Sequence, residues 1–235
     1  MVTYLITGAS RGLGRGLTEA LLSQPSHTVV AAVRDPQSST SLSLADLPRA
    51  ADTQLITVKI DSTSDTDAAE AAHVLATQHG IKSLDVVVAN AGFGEVWGDL
   101  TTVKPKEVGE LVDVNGIEQP SRGKFVLIGT PIASISAMEK APWPMFAYGA
   151  SKTVAHYLTR KIHVESPSLT AFVVDPGFMQ TDMGNNGARH FGYEQAFVPV
   201  AASVKFILGQ VEEATREKVG GKFVSIDEER KEIEW

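Results

Sequence analysis

The chain has no cysteine in 235 residues, which excludes disulfides, thiolate metal sites and a cysteine nucleophile. No stretch approaches the length of unbroken apolar sequence that a membrane-spanning helix needs. Positive charge is also scarce: 21 Lys and Arg against 28 Asp and Glu give a net charge of −7. That balance argues against a nucleic-acid backbone or an anionic membrane as the main partner. The opening "MVTYLIT" reads as a strand running straight into glycines, without the charged and apolar regions of a signal peptide. With neither an export signal nor cysteines, a cytoplasmic protein is expected. The six histidines (His27, His73, His79, His156, His163 and His190) show no ligand spacing with carboxylates, so no metal site is expected. His156 and His163 share one helical pattern and read as packed or surface residues rather than catalytic ones.

What is present is a regular alternation. Short apolar, β-branched runs recur at 4–7, 28–33, 54–60, 84–89, 124–130, 170–174 and 221–225. They are continuous rather than alternating, as in parallel strands covered on both faces. Helical patterns lie between them at 14–23, 65–79, 105–114, 147–165 and 198–212. Asp65 and Asp67 fall in the first turn of the second helix, where they suit its dipole and supply a cap. The serine-rich segment 36–48 reads as a surface loop with one helical turn, and the tail "DEERKEIEW" as a solvated terminus. The expected fold is α/β: one Rossmann-type domain over 1–235, a doubly wound parallel sheet of about seven strands with helices on both faces.

"LITGASRGLGRGL" places Gly8, Gly12 and Gly14 between the first strand and the first helix. Glycine allows a tight turn and close backbone approach, and the helix N-terminus then faces a pyrophosphate. The second strand ends in Arg34, where an acidic residue would bond the ribose hydroxyls of NAD. Arg34 and Arg11 together offer cations to a 2′-phosphate, so NADP is the expected cofactor. Asp61, ending the third strand, could accept from the adenine amino group or cap the segment that follows. "AYGASK" sets Tyr148 and Lys152 one helical turn apart on one face. A nearby ammonium would bring the phenol, whose pKa is ordinarily about 10, toward working range.

These motifs, with "NAG" at 90–92, Asn115 and "DPGFMQTDM" at 175–183, resemble the short-chain dehydrogenase/reductase family over residues 3 to 225. Within it, "DVVVANAGFG", "VVDPGFMQTDMG" and the closing tryptophan resemble the fungal norsolorinic acid ketoreductase-like and sniffer-like carbonyl reductases. The resemblance implies that Tyr148 donates a proton to a carbonyl oxygen, Lys152 lowers its pKa and bonds the nicotinamide ribose, and Asn115 holds a relay water. It places Gly8, Ser10, Arg11, Gly12, Leu13, Gly14, Asn90, Ala91 and Gly92 around the cofactor. It also sets Pro176 and Gly177 under the nicotinamide and Thr181 on its carboxamide. The family's substrate-binding serine is not matched directly. Thr130 stands where a serine pair normally ends the fifth strand, Ser134 lies at about the usual separation from Tyr148, and Ser136 comes third.

Bulky apolar residues crowd the segments expected to overhang the site: Phe93, Val96, Trp97, Met138, Trp143, Met145, Phe146, Phe178, Met179 and Met183. They suit a small-molecule ketone that is aromatic or polycyclic, with a substrate loop over 178–197. An NADPH-dependent ketoreductase of secondary metabolism is the leading reading. A non-catalytic NADP-binding sensor or scaffold, or a member recruited for dehydration or cyclisation, are the alternatives. Only nine steps separate Asn115 from Lys124, short of the family's usual interval. The helix that carries Asn115, and that helps build a homo-oligomer interface in the family, is therefore shortened here or further residues belong after Asn115.

Overall fold

The computed structural model describes residues 1–94, 106, 123–140 and 143–235. Seven parallel strands form one sheet: β1 (Val2–Thr7), β2 (His27–Val33), β3 (Gln54–Lys59), β4 (Val86–Ala89), β5 (Gly123–Ile128), β6 (Leu169–Asp175) and β7 (Phe223–Ser225). Their order is β3-β2-β1-β4-β5-β6-β7. The chain winds outward from β1 in one direction and then resumes at β4 in the other. A crevice therefore opens beyond the C-terminal ends of β1 and β4, where open α/β sheets hold their ligands.

Around the sheet lie helices α1 (Gly12–Leu22), α2 (Ser39–Leu42), α3 (Asp67–Gln78), α4 (Phe146–Glu165), α5 (Asp182–His190) and α6 (Val200–Glu213), with three short 3-10 turns at Pro131–Ala133, Met138–Lys140 and Glu228–Arg230. The strands are apolar at consecutive positions because the pleat sends alternate side chains to opposite faces and both faces are covered. Ile6, Val29, Ala31, Phe172 and Val174 pack with Leu17, Leu21, Val204 and Ile207 of α1 and α6. Leu5, Val30, Ala32, Ala171 and Val173 pack with Ala71 and Leu75 of α3 and with Ala155 and Ile162 of α4.

Three local readings differ from the sequence expectation. Thr66, not an aspartate, occupies the N-cap of α3 and makes no side-chain cap bond. The Asp67 carboxylate instead accepts from the Asp61 N–H at 2.9 Å and the Ser64 hydroxyl at 2.8 Å, tying the helix to the end of β3. Residues 178–197 contain helix α5, closed at its base by a parallel bridge between Met179 and Val198. The tail is not a solvated terminus. Glu232 bridges to Val224, the Ile233 N–H donates to the Phe223 carbonyl at 2.8 Å, and Ile233 is buried. The apolar residues Ile233 and Trp235 within the charged run bring it back onto the domain. Apart from Lys106, the helical pattern at 105–114 lies outside the described residues, as do Asn115, Val96 and Trp97.

Candidate active site

The turn after β1 brings the glycines together at the crevice. Gly8 has φ +66°, in the left-handed region. A Cβ on Gly14 would overlap the Gly8 carbonyl oxygen and lie 2.7 Å from Asn90 Nδ2. The N-cap residue Arg11 makes no side-chain cap bond and no acidic residue occupies the first turn of α1. The uncapped N–H groups of that turn thus remain available to an anion. Ser10 sits in the turn and Leu13 is buried in the core, leaving only its backbone to face a ligand. This cradle, closed to any side chain and edged by an uncapped helix, fits the diphosphate of a nicotinamide dinucleotide.

A threonine not singled out by sequence reading locks the next strand to this loop. Thr7 Oγ1 accepts from the N–H groups of Asn90 at 3.0 Å and Ala91 at 2.9 Å. Asn90 Nδ2 donates back to the Thr7 carbonyl at 2.8 Å. Gly92 continues this segment, and a Cβ on Gly94 would strike the Tyr148 ring. The methyl of Thr181 comes within 3.5 Å of a Cβ built on Gly12, so α5 starts opposite the glycine loop. The Thr181 hydroxyl caps α5, accepting from the Gly184 N–H at 3.1 Å. Arg11 and Arg34 are both exposed. The Asp61 carboxylate accepts from the Thr63 N–H at 3.0 Å and its hydroxyl at 2.8 Å; these bonds chiefly hold its pKa down, with Arg34 adding a smaller effect. These contacts close a local turn at Thr63, while the N-cap of α3 is Thr66.

At the other end of the crevice, α4 carries Tyr148 and Lys152 on adjacent turns. Lys152 is buried and donates to the Ile128 carbonyl at 3.1 Å. Burial lowers its pKa to about 8. The Tyr148 phenol does not follow the sequence expectation. Burial and then the charge of Asp175 push its pKa up to about 12, because a phenolate there would lose water and face a carboxylate. Tyr148 is therefore held as a protonated acid.

Asp175 was also not singled out. It is buried and accepts from the Gly177 N–H at 2.9 Å and the Ser225 hydroxyl at 2.7 Å. It thereby shapes the turn through Pro176, whose carbonyl accepts from Ser203, and Gly177, at φ +80°. Since Asp175 raises the Tyr148 pKa, Asp175→Asn removes that effect. The fall in activity at alkaline pH, read from a kcat–pH profile, is expected to begin at lower pH than in the wild type.

The three hydroxyl candidates separate. Ser134 is buried, donates to the Glu234 carbonyl at 2.5 Å and accepts from the Ala137 N–H at 3.2 Å. Ser136 contributes its N–H to the Trp235 carbonyl at 3.1 Å. Both hold the tail. Thr130 is half-buried at the end of β5, and its hydroxyl accepts a long bond of 3.4 Å from the Ile132 N–H. Around the mouth, Trp143 lies 5.1 Å from Phe191, and Phe197 lies 5.6 Å from Phe178 and 5.1 Å from Tyr193. Trp143, Phe178, Tyr193 and Phe197 are exposed, whereas Met145 and Met179 turn into the core. Among the described residues there is no group of acids and histidines able to hold a metal, and no helix is long and apolar enough to cross a membrane.

Comparison with known proteins places this geometry. A family model described as short chain dehydrogenase matches residues 2–118. The norsolorinic acid ketoreductase nor1 of Dothistroma septosporum is 41% identical over 249 aligned positions, covering 99% of this chain and 92% of the relative. Since 249 positions exceed the 235 residues of the chain, at least 14 positions of the relative have no counterpart here. Two solved structures share the fold at 22% identity. An NADPH-bound carbonyl reductase from chicken fatty liver has a TM-score of 0.82 and covers 99% of this chain and 98% of its own. The carbonyl reductase Sniffer of D. melanogaster has a TM-score of 0.78 with full coverage of both chains.

Proposed function

The chain belongs to the short-chain dehydrogenase family, and from that premise we propose that this oxidoreductase is an NADPH-dependent ketoreductase acting on a bulky aromatic ketone. The observation that carries the reading is the joining of an uncapped glycine cradle to half-buried Tyr148 and buried Lys152, one helical turn apart, across one crevice. NADPH bound there supplies the hydride that reduces the carbonyl carbon. Tyr148, kept protonated by burial and Asp175, gives its phenolic proton to the carbonyl oxygen as negative charge develops on it. Lys152 stabilises the phenolate left behind, drawing its ammonium from the Ile128 carbonyl toward the new charge. Thr130 supplies the hydroxyl that holds the carbonyl oxygen, because the Ser134 hydroxyl is engaged by the Glu234 carbonyl and the Ser136 hydroxyl lies 3.3 Å from that of Ser134.

Exposed Arg11 and Arg34 support NADPH over NADH, as does the NADPH-bound state named for the carbonyl reductase of like fold. The aromatic collar of Trp143, Phe178, Phe191, Tyr193 and Phe197, and the norsolorinic acid ketoreductases among the relatives, support a polycyclic substrate. The test follows NADPH absorbance with norsolorinic acid, 2-acetylnaphthalene and 9,10-phenanthrenequinone. Reduction of at least one is expected, and turnover of none would sink the proposal. In the same assay Arg34→Leu is expected to raise KM for NADPH by roughly ten- to a hundredfold, the worth of one charge-assisted bond to phosphate, and to leave KM for NADH unchanged.

A further inference from the structure

One buried titratable group has no part in the chemistry above. His156 lies one turn beyond Lys152 on α4 and is 2% exposed. Its Nε2 accepts the backbone N–H of Thr130 at 3.4 Å, which places the ring proton on Nδ1. Nδ1 is buried and has no hydrogen-bond partner among the described residues. Burial, and then the Lys152 charge, lower its pKa to about 3, so the ring is neutral and Nε2 remains an acceptor. Phe223 meets the ring edge-on at 4.7 Å and Trp235 at 5.9 Å, and the Arg160 guanidinium lies 5.8 Å over Trp235.

The chain makes room for this ring. A Cβ on Gly129 would lie 2.5 Å from His156 Nε2 and would overlap Val173 Cγ1. The Gly129-Thr130 pair, which stands in place of two serines, is the form that lets an imidazole pass beside the strand end. A buried N–H with no partner costs stability, and an apolar ring could fill the same space without that cost. What such a ring could not provide is the acceptor nitrogen facing Thr130.

We propose that His156 is a positioning residue: its Nε2 holds the backbone of Thr130 so that the Thr130 hydroxyl meets the substrate carbonyl, while Phe223 and Trp235 fix the ring. The inference rests on the reading of Thr130 given above. His156→Phe keeps an aromatic ring against Phe223 and Trp235 and removes the acceptor; His156→Gln restores one. With NADPH and 9,10-phenanthrenequinone, His156→Phe lowers kcat about tenfold, a loss of the size that small misplacement produces, and leaves KM for NADPH unchanged. His156→Gln recovers most of the rate. Thr130→Ala also lowers kcat, and adding His156→Phe to it lowers kcat no further. Melting curves check that each variant folds, and His156→Met takes the place of His156→Phe in the same cycle if that variant does not. Losses that multiply in the double variant, or a wild-type kcat for His156→Phe, overturn this inference alone. An undiminished kcat for Thr130→Ala overturns the reading of Thr130 and the inference with it.

Discussion

Replacing Tyr148 with phenylalanine is expected to reduce kcat for ketone reduction by about a thousandfold, within the usual range for removing a general acid. Only the phenolic oxygen is lost. The ring still fills its place beside Gly94, and Lys152 still reaches the Ile128 carbonyl. Binding of NADPH, followed by its fluorescence, should therefore stay within about twofold of the wild type. A variant that kept full activity would show that another group delivers the proton. A variant that lost cofactor binding as well would show Tyr148 to be a structural residue.

The second large effect is expected at Gly14, from a single methyl group. The Cβ of Gly14→Ala would meet the Gly8 carbonyl oxygen and the Asn90 amide, both fixed by strands β1 and β4. Neither is the yielding end of a flexible chain, so the loop or the helix must move. Overpacking of this kind costs about 1–3 kcal/mol, which lowers Tm by roughly 2–12 °C in a domain of this size. The displaced turn no longer presents its N–H groups together, and NADPH affinity should fall by about a hundredfold or more. Calorimetry with and without NADPH reads both effects. A variant that bound NADPH normally would mean that the cofactor does not use this loop.

Much of the fold was legible because its signals are local. Each strand is a continuous apolar run, and each of the seven was placed within two residues of its observed start. The glycine loop and the Tyr148–Lys152 spacing follow from rigid geometry over five to seven residues. Helix α5 was not legible, because "DMGNNGARH" is poor in helix formers and is held by Thr181 and by the Met179–Val198 bridge. The choice among Thr130, Ser134 and Ser136 could not be read either. It depends on contacts such as that of the Ser134 hydroxyl with the Glu234 carbonyl, a hundred residues away in sequence. The sign of the Tyr148 shift failed for the same reason. An adjacent lysine is visible in sequence, whereas burial and an aspartate on another strand are not. The short interval after Asn115 lies outside the described residues, and the positions of the D. septosporum relative without a counterpart show that its chain is longer somewhere along the alignment.

The return of residues 226–235 onto the loop after β5 also bears on the order in which the molecule is made. Strands β3, β2, β1 and β4 and the glycine turn all lie within residues 1–90 and are synthesised before the rest of the sheet. The partners of Ser134 and Ser136, by contrast, are Glu234 and Trp235. A nascent chain can thus shape its cofactor cradle well before the hydroxyl-bearing loop has anything to rest on. The loop after β5 thus waits on residues about a hundred positions later in the chain for the partners that hold it.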